Sequence, residues 1–133
     1  MFSSVLKVET GRRLVTDVTR HVVEACRGRG DGLVNLFVPH ATCGLALIET
    51  GSGTEDDLAA ILDDLLPPTD RYRHRHGSAG HGRDHVLPAF VSPSLSIPVL
   101  GGEPQLGTWQ SVVIVDTNVD NRTRTLRVSF LGG

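Results

Sequence analysis

The run Ser111-Val112-Val113-Ile114-Val115 limits the fold more than any other stretch of this chain. Apolar side chains at consecutive positions leave such a strand no wet side, so it reads as buried on both faces. Other strands alternate. Ser94-Leu95-Ser96-Ile97-Pro98-Val99 has one apolar face, with Pro98 marking an edge or the strand's end. Further along, Arg122, Arg124, Leu126, Val128 and Phe130 share one face, and Thr123, Thr125, Arg127 and Ser129 the other. Apolar strands are also expected over 32–38 and 44–48, and a first strand with a short second one lies around Thr10-Gly11. Helical spacing occurs in two places. Val15, Val18, Val22 and Ala25 or Cys26 precede the stops Gly28 and Gly30. Leu58, Ile61, Leu62 and Leu65 form a core-facing stripe behind a Thr54 cap and an acidic first turn, ended by Pro67-Pro68. Helices are therefore expected near residues 17–28 and 54–66. Strands adjacent in sequence with two main helices indicate an α+β fold, mainly antiparallel, with the helices packed on one side. The length, 133 residues, suits one domain spanning 1–133.

Between the second helix and the next strand lies Tyr72-Arg73-His74-Arg75-His76-Gly77-Ser78-Ala79-Gly80-His81-Gly82-Arg83-Asp84-His85, which holds four of the six histidines. Imidazole is the commonest metal ligand and general base near neutral pH. Interspersed glycines let the backbone fold back so that several rings can converge. Composition excludes other classes. A net charge of −2 gives no field for a nucleic-acid backbone or an anionic membrane, and the basic residues lack interleaved aromatics. No apolar run approaches membrane-spanning length, and the start of the chain has no signal-peptide core. Cys26 and Cys43 form neither a CxxC pair nor a disulfide framework, which suits a reducing cytoplasm.

Other residues can serve a site. His40 sits where two apolar strands meet, next to the Thr42 hydroxyl. Arg124 points the same way as core residues, a position suited to a pocket anion. The loop Glu49-Thr50-Gly51-Ser52-Gly53 precedes a helix but lacks the P-loop lysine, and its acidic continuation repels phosphate. His21 lies beside the apolar stripe of the first helix and reads as a surface histidine.

Several stretches together resemble the YjbQ-like family over nearly the whole chain. They are His40-Ala41-Thr42, the acidic helix ending in Pro67, Tyr72-Arg73-His74, Gly80 to His85, Ser94 to Val99, Leu106-Gly107-Thr108-Trp109-Gln110, and Arg122-Thr123-Arg124. The resemblance implies a compact α+β fold, a homotrimer with pockets near subunit boundaries, and a weak thiamine-phosphate synthase activity. That transferase reaction couples a pyrimidine pyrophosphate to a thiazole phosphate. The chain departs from the family in one place: Glu49-Thr50-Gly51-Ser52-Gly53 replaces an Asn-Glu-Asn triplet, and only Glu49 can stand in for it.

These readings define two expectations. In the first, the chain is an enzyme acting on a small phosphorylated metabolite. His40, His74 and His85 hold a divalent metal, zinc by the chemistry of three imidazoles and one open position. His40, Thr42 and His85 act in catalysis, and Thr42, Thr108 and Arg124 bind the ligand. His76 and His81 are outer or alternative ligands, and Asp84 orients one imidazole. His74 is preferred to His76 because Tyr72 can anchor it. In the second expectation, the chain is a non-enzymatic trimeric protein that binds metal or a phosphorylated metabolite. A rival for the histidines is direct anion binding as imidazolium, with Arg124.

Overall fold

The protein is described over residues 1–133 by a computed structural model. Two antiparallel sheets and a helix are stacked in three layers. The larger sheet contains β1 (Phe2–Glu9), β8 (Thr123–Gly132), β3 (Gly32–Phe37), β5 (Ser94–Leu100) and the two-residue β6 (Glu103–Pro104), in that spatial order. The smaller sheet orders β2 (Val15–Asp17), β7 (Ser111–Asp116) and β4 (Cys43–Ile48). The main core fills the space between them. Val34, Leu36, Ile97, Val99, Leu126 and Val128 of the larger sheet meet Cys43, Leu45, Val112 and Ile114 of the smaller one. Helix α1 (Thr19–Cys26) closes this layer with Val22 and Cys26.

β7 accounts for the third layer. Val112 and Ile114 face the main core, whereas Val113 and Val115 face a second cluster with Leu62 and Leu66 at the end of α2 (Thr54–Leu65) and with Leu87. Alternate side chains point to opposite faces of a strand, so a strand apolar at every position needs a layer on each side. The expected single helix-covered side is thus corrected: α1 belongs to the inter-sheet layer and α2 to the outer face of the small sheet.

Two local expectations also change. The α2 stripe is only partly buried. Leu62 is buried and Leu58 half-buried, but Ile61 and Leu65 are exposed, because the small sheet meets the face bearing Leu62 and Leu66. Thr54 does not cap α2. Gly53 takes that position at φ 92°, and the Glu55 carboxylate reaches back to accept from the Gly51 N–H at 3.1 Å. Both cysteines are free and buried, and burial pushes the Cys43 thiol up to about 12. No helix is long and apolar enough to cross a membrane.

Candidate metal centre

Pro67-Pro68 end α2 and release residues 69–80, a strap without regular structure. Residues 70–77 make no backbone–backbone hydrogen bond, so side chains hold the strap. The Tyr72 hydroxyl donates to the Pro67 carbonyl at 3.0 Å, and the Gly80 N–H donates to Asp70 Oδ1 at 2.9 Å. Ser78 donates through its N–H and its hydroxyl to Asp120 Oδ2, at 3.1 and 3.2 Å. Gly80, at φ 76°, turns the chain into a 3₁₀ segment over His81–His85. The strap crosses this segment at Gly82. A Cβ there would lie 2.4 Å from Tyr72 Cβ and 2.6 Å from the His74 carbonyl oxygen, so no larger residue fits.

This crossing brings four imidazoles together. One ring nitrogen from each of His74, His76, His81 and His85 lies within 4.8 Å of all the others. Ring centroids are 3.9 Å apart for His74–His76 and His74–His85, and 4.8 Å apart for His81–His85. The Nε2 atoms of His81 and His85 approach to 2.9 Å. His74 Nε2 is buried and has no hydrogen-bond partner. An unpaired buried polar atom is costly, and a metal ion held by this ring would relieve that cost. The donor set is nitrogen only, which suits a borderline divalent ion. The residues present therefore fit a metal.

The cluster is tied to the core on one side. His81 is buried, and three polar atoms surround its Nδ1: Asn118 Nδ2 at 3.1 Å, Asp84 Oδ2 at 3.3 Å and Asp120 Oδ2 at 3.4 Å. Asp84, also buried, accepts from Thr117 Oγ1 at 2.5 Å and from Asn118 Nδ2 at 3.1 Å. The amide of Asn118 is oriented because its Oδ1 already accepts from the N–H groups of Asp120 and Asn121, both at 2.9 Å. His76, by contrast, is exposed.

Electrostatics keep two of the rings neutral. Burial, then the neighbouring His76 and His81, hold His74 below the ordinary histidine value. Burial lowers His85 as well, with further lowering from His74, His81 and His76 and a smaller opposing pull from Asp84. Neutral imidazole is the metal-binding form. Packing four rings at these distances works against the imidazolium cluster that direct anion binding requires.

The other expected residues sit elsewhere. His40 does not join the four. Its Nε2 accepts the Thr125 N–H at 2.9 Å, where β3 has already ended at Phe37 and can no longer pair with β8. Its lone pair completes the sheet, and burial followed by Arg124 keeps its pKa low. The structure therefore does not bring the expected triad of His40, His74 and His85 together: His74 and His85 converge with His76 and His81, and His40 stands apart. Arg124 is 2% exposed and paired with the protein's own groups: Nε donates to Asp116 Oδ2 at 2.6 Å, and Nη2 donates to Asp116 Oδ1 at 2.9 Å and Thr42 Oγ1 at 2.8 Å. Arg124 and Thr42 form a buried internal ion-pair network, and Asp116 already neutralises the guanidinium expected to hold an anion. Thr108 is exposed in the turn before β7 and makes no side-chain hydrogen bond. Glu49 is exposed.

The sequence profile of the UPF0047 protein YjbQ-like family matches residues 4–133. This chain belongs to that family. A UPF0047 protein of Mycobacterium tuberculosis is 57% identical over 133 residues, covering 100% of both chains. The YjbQ protein of Escherichia coli O157:H7 is 25% identical over 123 residues, 92% of this chain and 89% of its own. Among solved structures, a hypothetical protein from Aeropyrum pernix K1 superimposes with a TM-score of 0.90 at 30% identity, covering 100% of each chain. A protein of unknown function from Sulfolobus solfataricus P2 gives a TM-score of 0.88 at 24% identity, over 99% of this chain and 97% of that one, and bears on the fold alone. These findings bear out the α+β fold and the family. They contradict the thiamine-phosphate synthase expectation: the UPF0047 relatives carry a family designation without an activity, and the Sulfolobus neighbour has no known function.

Sequence reasoning read residues 116–121 only as a turn. Asp116 ends β7, and the turn after it supplies Thr117, Asn118 and Asp120, so the segment feeds both polar networks. The available signal was the density of short carboxylate and amide side chains directly after a strand buried on both faces.

Proposed function

We propose that this UPF0047 protein binds one divalent transition-metal ion, zinc, through His74, His76, His81 and His85. The observation that carries this is the convergence of four ring nitrogens within 4.8 Å of one another. The unpaired His74 Nε2 and the lowered pKa values of His74 and His85 support it. Four imidazoles match the coordination number that zinc prefers. His81 and His85 are the rigid ligands, since both lie on the 3₁₀ segment. His76 is exposed and carried by the strap, so it is the ligand most readily exchanged for an oxygen from solution. When bound, the ion supplies Lewis acidity at that exchangeable position. The chain's own contribution is to hold His74 and His85 neutral and to orient His81 from the buried side. Cobalt(II) replacing zinc tests the ligand set. Intense visible absorption from a tetrahedral site is expected, weakened or shifted in His76→Ala and lost in His85→Ala. A weak octahedral spectrum that both substitutions leave unchanged would refute the site.

The homotrimer is also proposed. The outer face of the larger sheet supports it, because Val5, Leu33, Phe37, Leu100 and Leu131 are all exposed there. Large apolar side chains exposed on one face of a sheet suit an interface.

A further inference from the structure

The turn between β7 and β8 touches both halves of the histidine cluster, and a single carboxylate makes the connection. Asp120 Oδ2 accepts from the Ser78 N–H and hydroxyl at 3.1 and 3.2 Å, on the strap that carries His74 and His76. The same oxygen lies 3.4 Å from Nδ1 of His81, on the 3₁₀ segment that carries His81 and His85. Gly77 shows how closely these parts meet. A Cβ there would lie 2.9 Å from Asp120 Oδ2 and 3.0 Å from the His81 ring, and the residue already has φ 83°. Asp120 itself is fixed from behind, since its N–H donates to Asn118 Oδ1 at 2.9 Å.

We infer that Asp120 is the positioning residue of the metal centre: it latches the strap to the β7–β8 turn and orients His81 for its ion. This rests on the metal-binding reading above. A cation on His81 Nε2 obliges Nδ1 to carry the ring proton, and the oxygens near Nδ1 that can accept it belong to Asp84 and Asp120. Asp84 Oδ2, at 3.3 Å, shares in accepting that proton, but of the two carboxylates Asp120 is the one that also accepts from the strap, at Ser78. One side chain thus joins two events, closure of the strap and alignment of a buried ligand. The strap has few other ties, because residues 70–77 make no backbone–backbone hydrogen bond. Loss of Asp120 therefore loosens His74 and His76 without touching either.

Two substitutions separate the latch from the orientation of His81. Asp120→Ala removes both. Asp120→Asn keeps an oxygen for Ser78 but weakens the acceptor that faces His81. Trypsin cuts after Arg71, Arg73 and Arg75 report opening of the strap, and they are read first on metal-free protein. The expected result is cleavage faster by about tenfold in Asp120→Ala, the effect of losing hydrogen bonds to a charged acceptor, with Asp120→Asn near wild type. Zinc titration is read second, and both variants are expected to bind roughly 10–100-fold more weakly, the usual effect of removing an outer partner of a ligating histidine. Unchanged far-ultraviolet circular dichroism and denaturation midpoints exclude general unfolding as the cause. Wild-type cleavage rates in metal-free Asp120→Ala would overturn the latch, and wild-type zinc affinity in Asp120→Asn would overturn the positioning role. If wild-type protein takes up no zinc, the metal reading and the positioning role both fall, while the metal-free cleavage comparison still decides the latch.

Discussion

Individual side chains in this protein divide into those that complete the fold and those left free to bind. Arg124 belongs to the first group. Its ion pair with Asp116 has both side chains 2% exposed, so removing one partner strands the other charge in the core. Asp116→Ala is expected to cost about 3–5 kcal/mol in urea denaturation. A loss below about 1 kcal/mol would show that water reaches the pair. His40, His74 and His85 give a pH dependence whose sign follows from their lowered values. Their unfolded forms take up protons near the ordinary value of about 6.5, and their folded forms take them up only at lower pH. Stability contributed by these residues is therefore full above that value. It is lost as pH falls from about 6.5 through their folded values. The urea midpoint of metal-free protein should drop between pH 7.5 and 5.5, and less so in His40→Gln; a midpoint that rises contradicts the assignment. The residue types of the site were legible in the sequence, because four histidines among glycines in one short loop have few other uses. Which histidines converge was not legible. His40 adjoins a strand end, and only the register of β8 reveals that the Thr125 N–H needs an acceptor there.

At the scale of elements, the strap and the 3₁₀ segment act as one unit because Gly82 lets them cross in contact. Gly82→Ala would force Tyr72 and the His74 carbonyl away, costing about 1–3 kcal/mol as overpacking does. Its effect on zinc affinity should exceed that of a distant substitution of equal thermal cost, and calorimetric titration beside thermal melts checks this. Equal binding by variant and wild type would mean that the crossing does not set the ligands. The strands β5, β7 and β8 could be read from their periodicity, since burial follows a simple alternation of side chains. The strap could not: an extended reading separates His74 from His81, whereas positive φ at Gly77 and Gly80 folds them together. Likewise the α2 stripe was placed about one position off, because helical spacing fixes a face only to within the width that the partner sheet then selects.

For the whole molecule, the two sheets place the histidine cluster at the end of β7, on the side where the β7–β8 turn emerges, and leave the outer face of the larger sheet bare. Phe37→Glu, on that face, is expected to convert a trimer into monomers near 14.3 kDa in analytical ultracentrifugation. Wild-type protein sedimenting as a monomer at micromolar concentration would remove the trimer. The most direct test of the site is metal uptake by the native chain, purified without a histidine tag and stripped with chelator. Isothermal titration with zinc at pH 7.5 should give one ion per chain in the wild type. Affinity in His74→Ala and in His85→Ala should fall by more than the roughly 10–100-fold that an outer partner costs. Binding should weaken as pH drops, because each imidazole must give up its proton. No uptake by wild-type protein, or uptake that survives loss of both His74 and His85, would contradict the four-histidine centre.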